Sequence, residues 1–136
     1  MQGQNKKKLR ITLKGWAANS TLRSKGYAFI ALTPEDARNR IKKFKNDPQK
    51  LILVCPSIDW SWSDIANSVG GVVADHGTRV SRGSEVSGIV QVAAVFGTRN
   101  ATRVIKEGNF IEIICEGNEA LAKVFDLDNL DEKAIL

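Results

Sequence analysis

The run Leu51-Ile52-Leu53-Val54-Cys55, closed by Pro56, constrains the fold more than any other stretch of this sequence. It is too short for a buried helix and has no alternation that would leave one face in water. A strand covered on both faces suits it, and such strands belong to parallel sheets packed under helices. Gly70-Gly71-Val72-Val73-Ala74-Asp75 and Ala93-Ala94-Val95-Phe96 read as two more strands. Between these runs, residues 57–67 read as a loop turning into a short helix, and Ser81 to about Val90 as a helix with Ser81 as N-cap. Thr98 is expected to cap a further helix through Ile105, stopped by Gly108.

The flanking regions have a different pattern. Leu9 to Gly15 alternates apolar and polar residues, as a half-buried strand does, and Gly26 to Leu32 supplies another, with Asn19 to Ser24 as the loop between them. Thr33-Pro34-Glu35-Asp36 gives a cap residue, Pro at the first helical position and two acids in the first turn. A helix should therefore run to about Lys45, closed by Asn46-Asp47-Pro48, with Ile41 and Phe44 inward and Arg38, Lys42 and Lys45 sharing a face. Phe110 to Cys115 and Ala120 to Phe125 read as a hairpin. Together these elements predict a single α/β domain with a mixed sheet and short flanking helices. A chain of 136 residues can bury roughly two-thirds of its unfolded surface without a disulfide or structural metal. It is too short to hold a complete multistep catalyst.

Cys55 and Cys115 lie within apolar runs and read as buried small hydrophobes. Two distant cysteines and one histidine do not make a zinc site, so no metal is expected. No cofactor is expected either. The basic start, with Lys6, Lys7 and Lys8, leads into no apolar signal core, and no apolar stretch is long enough to span a bilayer. These features predict a reduced, cytoplasmic protein with a basic flexible leader at 1–8, a folded domain at 9–125 and an acidic tail at 126–136.

Charge is unevenly distributed. Residues 1–50 carry thirteen Lys or Arg against three acids, a net +10, whereas residues 51–136 carry seven against twelve, a net −5. One reading is a surface for phosphate-bearing ligands or nucleic acid, to which Lys6, Lys7, Lys8, Arg38 and Lys42 would contribute. The other is a lysine-rich tail plus one solvated helix face. Nucleic acid is the less favoured, because no aromatic residues are interleaved with the basic ones.

The densest group of unusual residues is Asp75-His76-Gly77-Thr78-Arg79-Val80-Ser81-Arg82-Gly83-Ser84-Glu85, placed between a buried strand and an expected helix. Unpaired backbone N–H groups at such a junction favour an anion, and Gly77, Thr78, Arg79, Ser81, Arg82 and Gly83 are the candidate anion-binding residues. The spacing matches neither a Walker loop nor a dinucleotide fingerprint. Ser81 is most simply an N-cap, while Ser84 and Glu85 read as first-turn helix residues. Trp60 is expected in the core, and Trp62 is expected to be exposed and available to a partner. Asp59 and Asp64 form no acid/base pair that spacing supports.

The stretch from Gly71 to Arg82, continuing through Val86, Ala94-Val95-Phe96-Gly97-Thr98 and Asn100-Ala101-Thr102 to Ile113, resembles the phosphohistidine, or swivelling, domain of phosphoenolpyruvate-utilising enzymes. Gly15-Trp16-Ala17-Ala18 with Gly26-Tyr27-Ala28, and Leu53-Val54-Cys55-Pro56 through Trp60, are similar to that family's earlier segments. The resemblance covers about residues 11 to 125. It implies a swivelling β/β/α domain with a mixed central sheet and short flanking helices, whose histidine carries a phosphoryl group between an ATP-grasp domain and a pyruvate-binding barrel.

Within the resemblance, Arg82 stands where the family has its phosphorylated histidine. A guanidinium stays protonated and offers no lone pair to phosphorus, so no residue is assigned as catalytic through this position. Thr78, Gly88-Ile89, Gln91 and Ala93 depart from the pattern as well. His76 lies six residues earlier, in the loop, and is the alternative phosphoacceptor. The resemblance therefore implies a degenerate, non-catalytic mobile domain that binds a partner or an anion and is not an enzyme on its own. The alternative is a phosphoryl carrier working in cis or trans with ATP-grasp and phosphoenolpyruvate- or pyruvate-binding domains, as part of a phosphotransferase of the phosphoenolpyruvate synthase or pyruvate phosphate dikinase type. A basic nucleic-acid-binding domain is the third reading.

Overall fold

The computed structural model describes residues 7–18, 22–45, 47–77 and 90–127. Seven strands form one mixed sheet that closes on itself: β1 (Lys7–Ala17), β2 (Arg23–Ile30), β3 (Leu51–Cys55), β4 (Gly71–Ala74), β5 (Ala93–Phe96), β6 (Phe110–Glu116) and β7 (Glu119–Leu127). Around the barrel the order is β1-β5-β4-β3-β2-β6-β7, with β1 also paired to β7. Strands β2, β3, β4 and β5 run parallel, and the pairs β2·β6, β6·β7, β7·β1 and β1·β5 are antiparallel.

The apolar run that opened the sequence reading occupies the middle of the parallel half, and every residue of β3 is buried. Alternation explains why. Ile52 and Val54 point into the barrel with Leu13, Val73, Val95, Ile111, Ile113 and Val124. Leu51, Leu53 and Cys55 point outward into a second core with Phe29, Val72 and Phe96. That outer core is covered by α1 (Pro34–Ile41), by the 3₁₀ turn Trp60–Trp62 and by α2 (Ser63–Ala66). A final short helix, α3 (Ala101–Val104), contributes Ala101 to the barrel interior, and Ile105 follows it there. On β6 and β7 every second residue faces the barrel, namely Ile111, Ile113, Cys115, Ala120, Ala122 and Val124.

Apart from the helix expected from Ser81, most of which lies outside the described residues, the expected elements are present, several with changed boundaries. β2 begins at Arg23, inside the expected loop, because Arg23 and Ser24 find ladder partners in Ile114 and Ile113 of the distant β6. The same strand ends at Ile30, which leaves Leu32 outside it and 65% exposed. Helix α1 starts as expected, with Thr33 Oγ1 accepting from the Asp36 N–H at 3.1 Å, but stops at Ile41 rather than near Lys45. Beyond it the chain tightens through Lys43 N–H to Arg40 O and Phe44 N–H to Ile41 O, and this turn sets Phe44 edge-on to Phe29 at 5.2 Å. Lys42 and Lys45 thus fall outside the helix that carries Arg38. β1 and β7 extend to Lys7 and Leu127, which pair with each other.

Folding pairs part of the basic half with the acidic half. The ion pairs among the described residues are Arg10–Asp126, Arg23–Glu116, Arg38–Asp64 and Arg40–Glu107, and each joins a cation of the basic half to an acid of the other. Arg40 is the most enclosed of these: it bonds Ile30 O at 2.6 Å and Glu107, and its guanidinium lies over the Phe44 ring at 5.3 Å. Arg38 reaches Asp64 through two hydrogen bonds of 2.9 and 3.0 Å and Ser61 O through a third, tying α1 to the 3₁₀ turn and α2.

Candidate functional site

Because β2 to β5 are parallel, their C-terminal ends share one rim of the barrel, where Ala31, Pro56, Asp75 and Gly97 begin the connecting loops. The C-terminal ends of parallel strands are the usual place for ligands in α/β folds, since loops from several strands converge there. Asp75 organises this rim. It is only 7% exposed, its N–H donates to Cys55 O at 3.1 Å, and its carbonyl accepts from Arg99 N–H at 2.8 Å. Its carboxylate accepts from the Thr102 N–H at 2.8 Å and from the Thr102 hydroxyl at 2.5 Å. The side chain of a β4-end residue therefore satisfies a first-turn amide of α3.

Thr98, the expected cap, has another role. Its hydroxyl and its N–H both donate to Ala74 O, at 3.0 and 3.2 Å, so it staples the turn after β5 to the end of β4 and caps nothing. The capping function passes to Asp75 because the turn has already spent Thr98 on the neighbouring strand. Two glycines complete the junction. Gly97 has φ +76, and a Cβ there would sit 2.6 Å from Gly77 O and 3.3 Å from Trp16 Cδ1. Gly77 has φ +125 and lies against Phe96. Close backbone approach and a left-handed conformation make both positions costly for any other residue.

His76 leaves this brace with its N–H donating to Pro56 O at 2.9 Å and its side chain exposed. Gly77 is the last described residue of the candidate loop. Thr78, Arg79, Ser81, Arg82 and Gly83, with Ser84, Glu85 and most of the expected helix from Ser81, lie outside the described residues. Val90, where that helix was expected to end, is buried in the outer core.

The tryptophans exchange their expected places. Trp62 is 4% exposed within the outer core, whereas Trp60 is 65% exposed. Asp59 caps the 3₁₀ turn by accepting from the Ser61 N–H at 2.9 Å, and the turn rotates Trp62 inward and Trp60 out. Trp16, which sequence reasoning did not single out, is 39% exposed and stands beside Gly97 at the rim. Leu32, also exposed, follows β2 at the same rim.

Neither cysteine is placed for chemistry. Burial, with the Asp75 carboxylate nearby, pushes the Cys55 thiol far up, and burial raises Cys115 as well. Asp64 is held below the usual aspartate range by its hydrogen bonds from Arg38. Among the described residues no group of three or more His, Cys, Asp or Glu could hold a metal. No helix among them is long and apolar enough to cross a membrane. Two surface grooves, of about 520 and 410 Å³, lie on the outer face of β1, β2, β6 and β7, lined by Arg23, Lys25, Glu112 and Lys123 and by Lys14 and Leu121 respectively. Both are remote from His76 and Gly77 in sequence and share no residue with the rim.

No curated protein matches the chain. The family model of the mobile domain of PEP-utilising enzymes matches residues 47–118, which span β3, β4, β5, β6 and the whole Asp75–Thr102 brace. The resemblance at Gly15 to Ala28 falls outside that stretch. With more than half of its length matched and a seven-stranded mixed sheet flanked by short helices, the chain belongs to the family of PEP-utilising enzyme mobile domains.

Proposed function

We propose that this domain is a mobile domain that no longer carries a phosphoryl group and serves as a non-catalytic module, binding an anion or a partner through residues 76–85. One observation carries the reading: Arg82 stands at the position of the family's phosphohistidine in the sequence resemblance, and the chain has a single histidine, His76. An arginine can hold a phosphate by paired, charge-assisted hydrogen bonds but cannot accept one covalently. The rigid start of the loop, fixed by Asp75 and Gly77, supports a preformed binding site. Exposed Trp16 and Leu32 at the same rim, with exposed Trp60 in the 3₁₀ turn after β3, support docking against an ATP-grasp or a phosphoenolpyruvate- or pyruvate-binding domain in the same or another chain. Free, buried cysteines accord with a cytoplasmic location. The domain proper is taken as residues 9–125 together with the strand ends that reach Lys7 and Leu127, with a basic leader before it and an acidic tail after it.

The second reading is a phosphoryl carrier acting through His76, favoured by the exposure of that side chain at the strand ends. Incubation with ATP, magnesium and an ATP-grasp domain of a PEP-utilising enzyme separates the two by intact mass. The first reading expects no acid-labile adduct on the wild type and an adduct on Arg82→His. An adduct on the wild type that disappears with His76→Ala overturns it.

A further inference from the structure

Arg99 is the one non-glycine among the described residues with a positive φ, at 80°, while the other four positions of positive φ are glycines. A long L side chain in this region crowds its own backbone, and glycine would avoid the cost. The turn does not leave Arg99 a choice of conformation. Thr98 is pinned before it by two bonds to Ala74 O, and the Arg99 N–H is itself committed to Asp75 O at 2.8 Å. That bond also fixes where the side chain starts, directly beside the Asp75–His76 peptide and two residues after Gly97, where an added Cβ would meet Gly77 O and Trp16. The side chain is exposed, and no hydrogen bond or ion pair holds its guanidinium among the described residues. The four ion-paired arginines among the described residues have structural partners, so Arg99 differs from them in both conformation and pairing.

We infer that Arg99 is an anion-contacting residue at this rim, binding a phosphomonoester or inorganic phosphate non-covalently beside His76 and Gly77. The inference rests on the anion-binding reading above. A strained residue persists where its side chain contributes something that glycine cannot, and a guanidinium carried on a fixed backbone at the mouth of an anion site is such a contribution.

The test is an NMR titration of the full chain with inorganic phosphate, following the His76 and Gly77 amides and the Arg99 Nε–H. Saturable shifts of all three signals are expected in the wild type. Arg99→Gly should retain or raise the thermal midpoint, since it relieves the backbone, while weakening phosphate about tenfold, the size of one charge-assisted hydrogen bond. Arg99→Lys should bind between the two. Wild-type binding with unchanged affinity in Arg99→Gly overturns the role of Arg99 alone. No phosphate shift at His76 or Gly77 in the wild type overturns the anion-site reading and the role of Arg99 with it.

Discussion

Thr102 donates both its backbone N–H and its hydroxyl to the carboxylate of Asp75, joining the end of β4 to α3 across the rim where the candidate loop begins. The bond pair replaces the local cap that α3 lacks, since Asn100 makes no side-chain cap. Asp75→Ala would leave a part-buried amide and hydroxyl without their acceptor, at a cost on the order of 2 kcal/mol. Thr102→Val removes only the hydroxyl and should cost roughly half as much, and Thr102→Ser should restore it. Urea unfolding of the three variants measures this, and an Asp75→Ala midpoint equal to wild type would show that the brace contributes nothing.

Gly97→Ala places a methyl 2.6 Å from Gly77 O in a backbone conformation with φ +76. Both effects destabilise, together by more than about 1 kcal/mol. The displacement should appear first in the amide resonances of His76 and Gly77, before any change in β6 or β7. A variant of unchanged stability and spectrum would mean that the Gly77 carbonyl can retreat freely.

Trp62 and Trp60 are two residues apart and should respond oppositely to truncation. Trp62→Ala opens a cavity in the outer core and should cost about 3–5 kcal/mol. Trp60→Ala removes an exposed ring and should stay within about 0.5 kcal/mol. Equal losses for the two, in thermal or urea melts, would contradict the burial seen here.

Much of this fold was legible in the sequence because its strongest signal is local. Leu51–Cys55 buries both faces whatever surrounds it, and the alternation in Phe110–Glu116 allows only one face inward. What escaped was decided by partners distant in sequence. Arg23 is a strand residue because Ile114 lies beside it, and Thr98 is no cap because Ala74 O takes its hydroxyl. The tryptophan pair was misassigned for a related reason: Asp59 caps a 3₁₀ turn, and that turn alone decides which indole faces the core. At the candidate site, the sequence pointed to the loop from Asp75 onward but not to Arg99. A polar residue after Gly97-Thr98 gives no sign of a left-handed φ until the turn is seen hydrogen-bonded to Asp75.

Cys55 and Cys115 should resist thiol reagents in the native state. Both are buried, and their thiols are held above the ordinary range, so little thiolate exists near pH 8. Aromatic disulfide reagents should react only as fast as the barrel opens, and both thiols should appear together in denaturant. Rapid modification of either residue without unfolding would place that thiol at the surface.

Arg38 and Asp64 give the fold its clearest acid-sensitive contact. Hydrogen bonds from Arg38 lower the Asp64 pKa below the ordinary aspartate value, which is also its value in the unfolded chain. A carboxyl depressed on folding binds fewer protons in the native state than in the unfolded one. Its stabilisation is therefore fully present above the unfolded pKa and is lost as pH falls through the folded one, in a window that starts near pH 4 and extends downward. The pair is well exposed, at 43% and 63% of its side chains, so water and salt screen it and the contribution to stability is small. The local signature is sharper than the global one: a carbon-detected titration should place the Asp64 midpoint below the ordinary aspartate range at low salt. The midpoint should move up toward that range in Arg38→Gln, and part of the way in high salt. An Asp64 midpoint that does not move in Arg38→Gln would show that the guanidinium is not what holds the proton off.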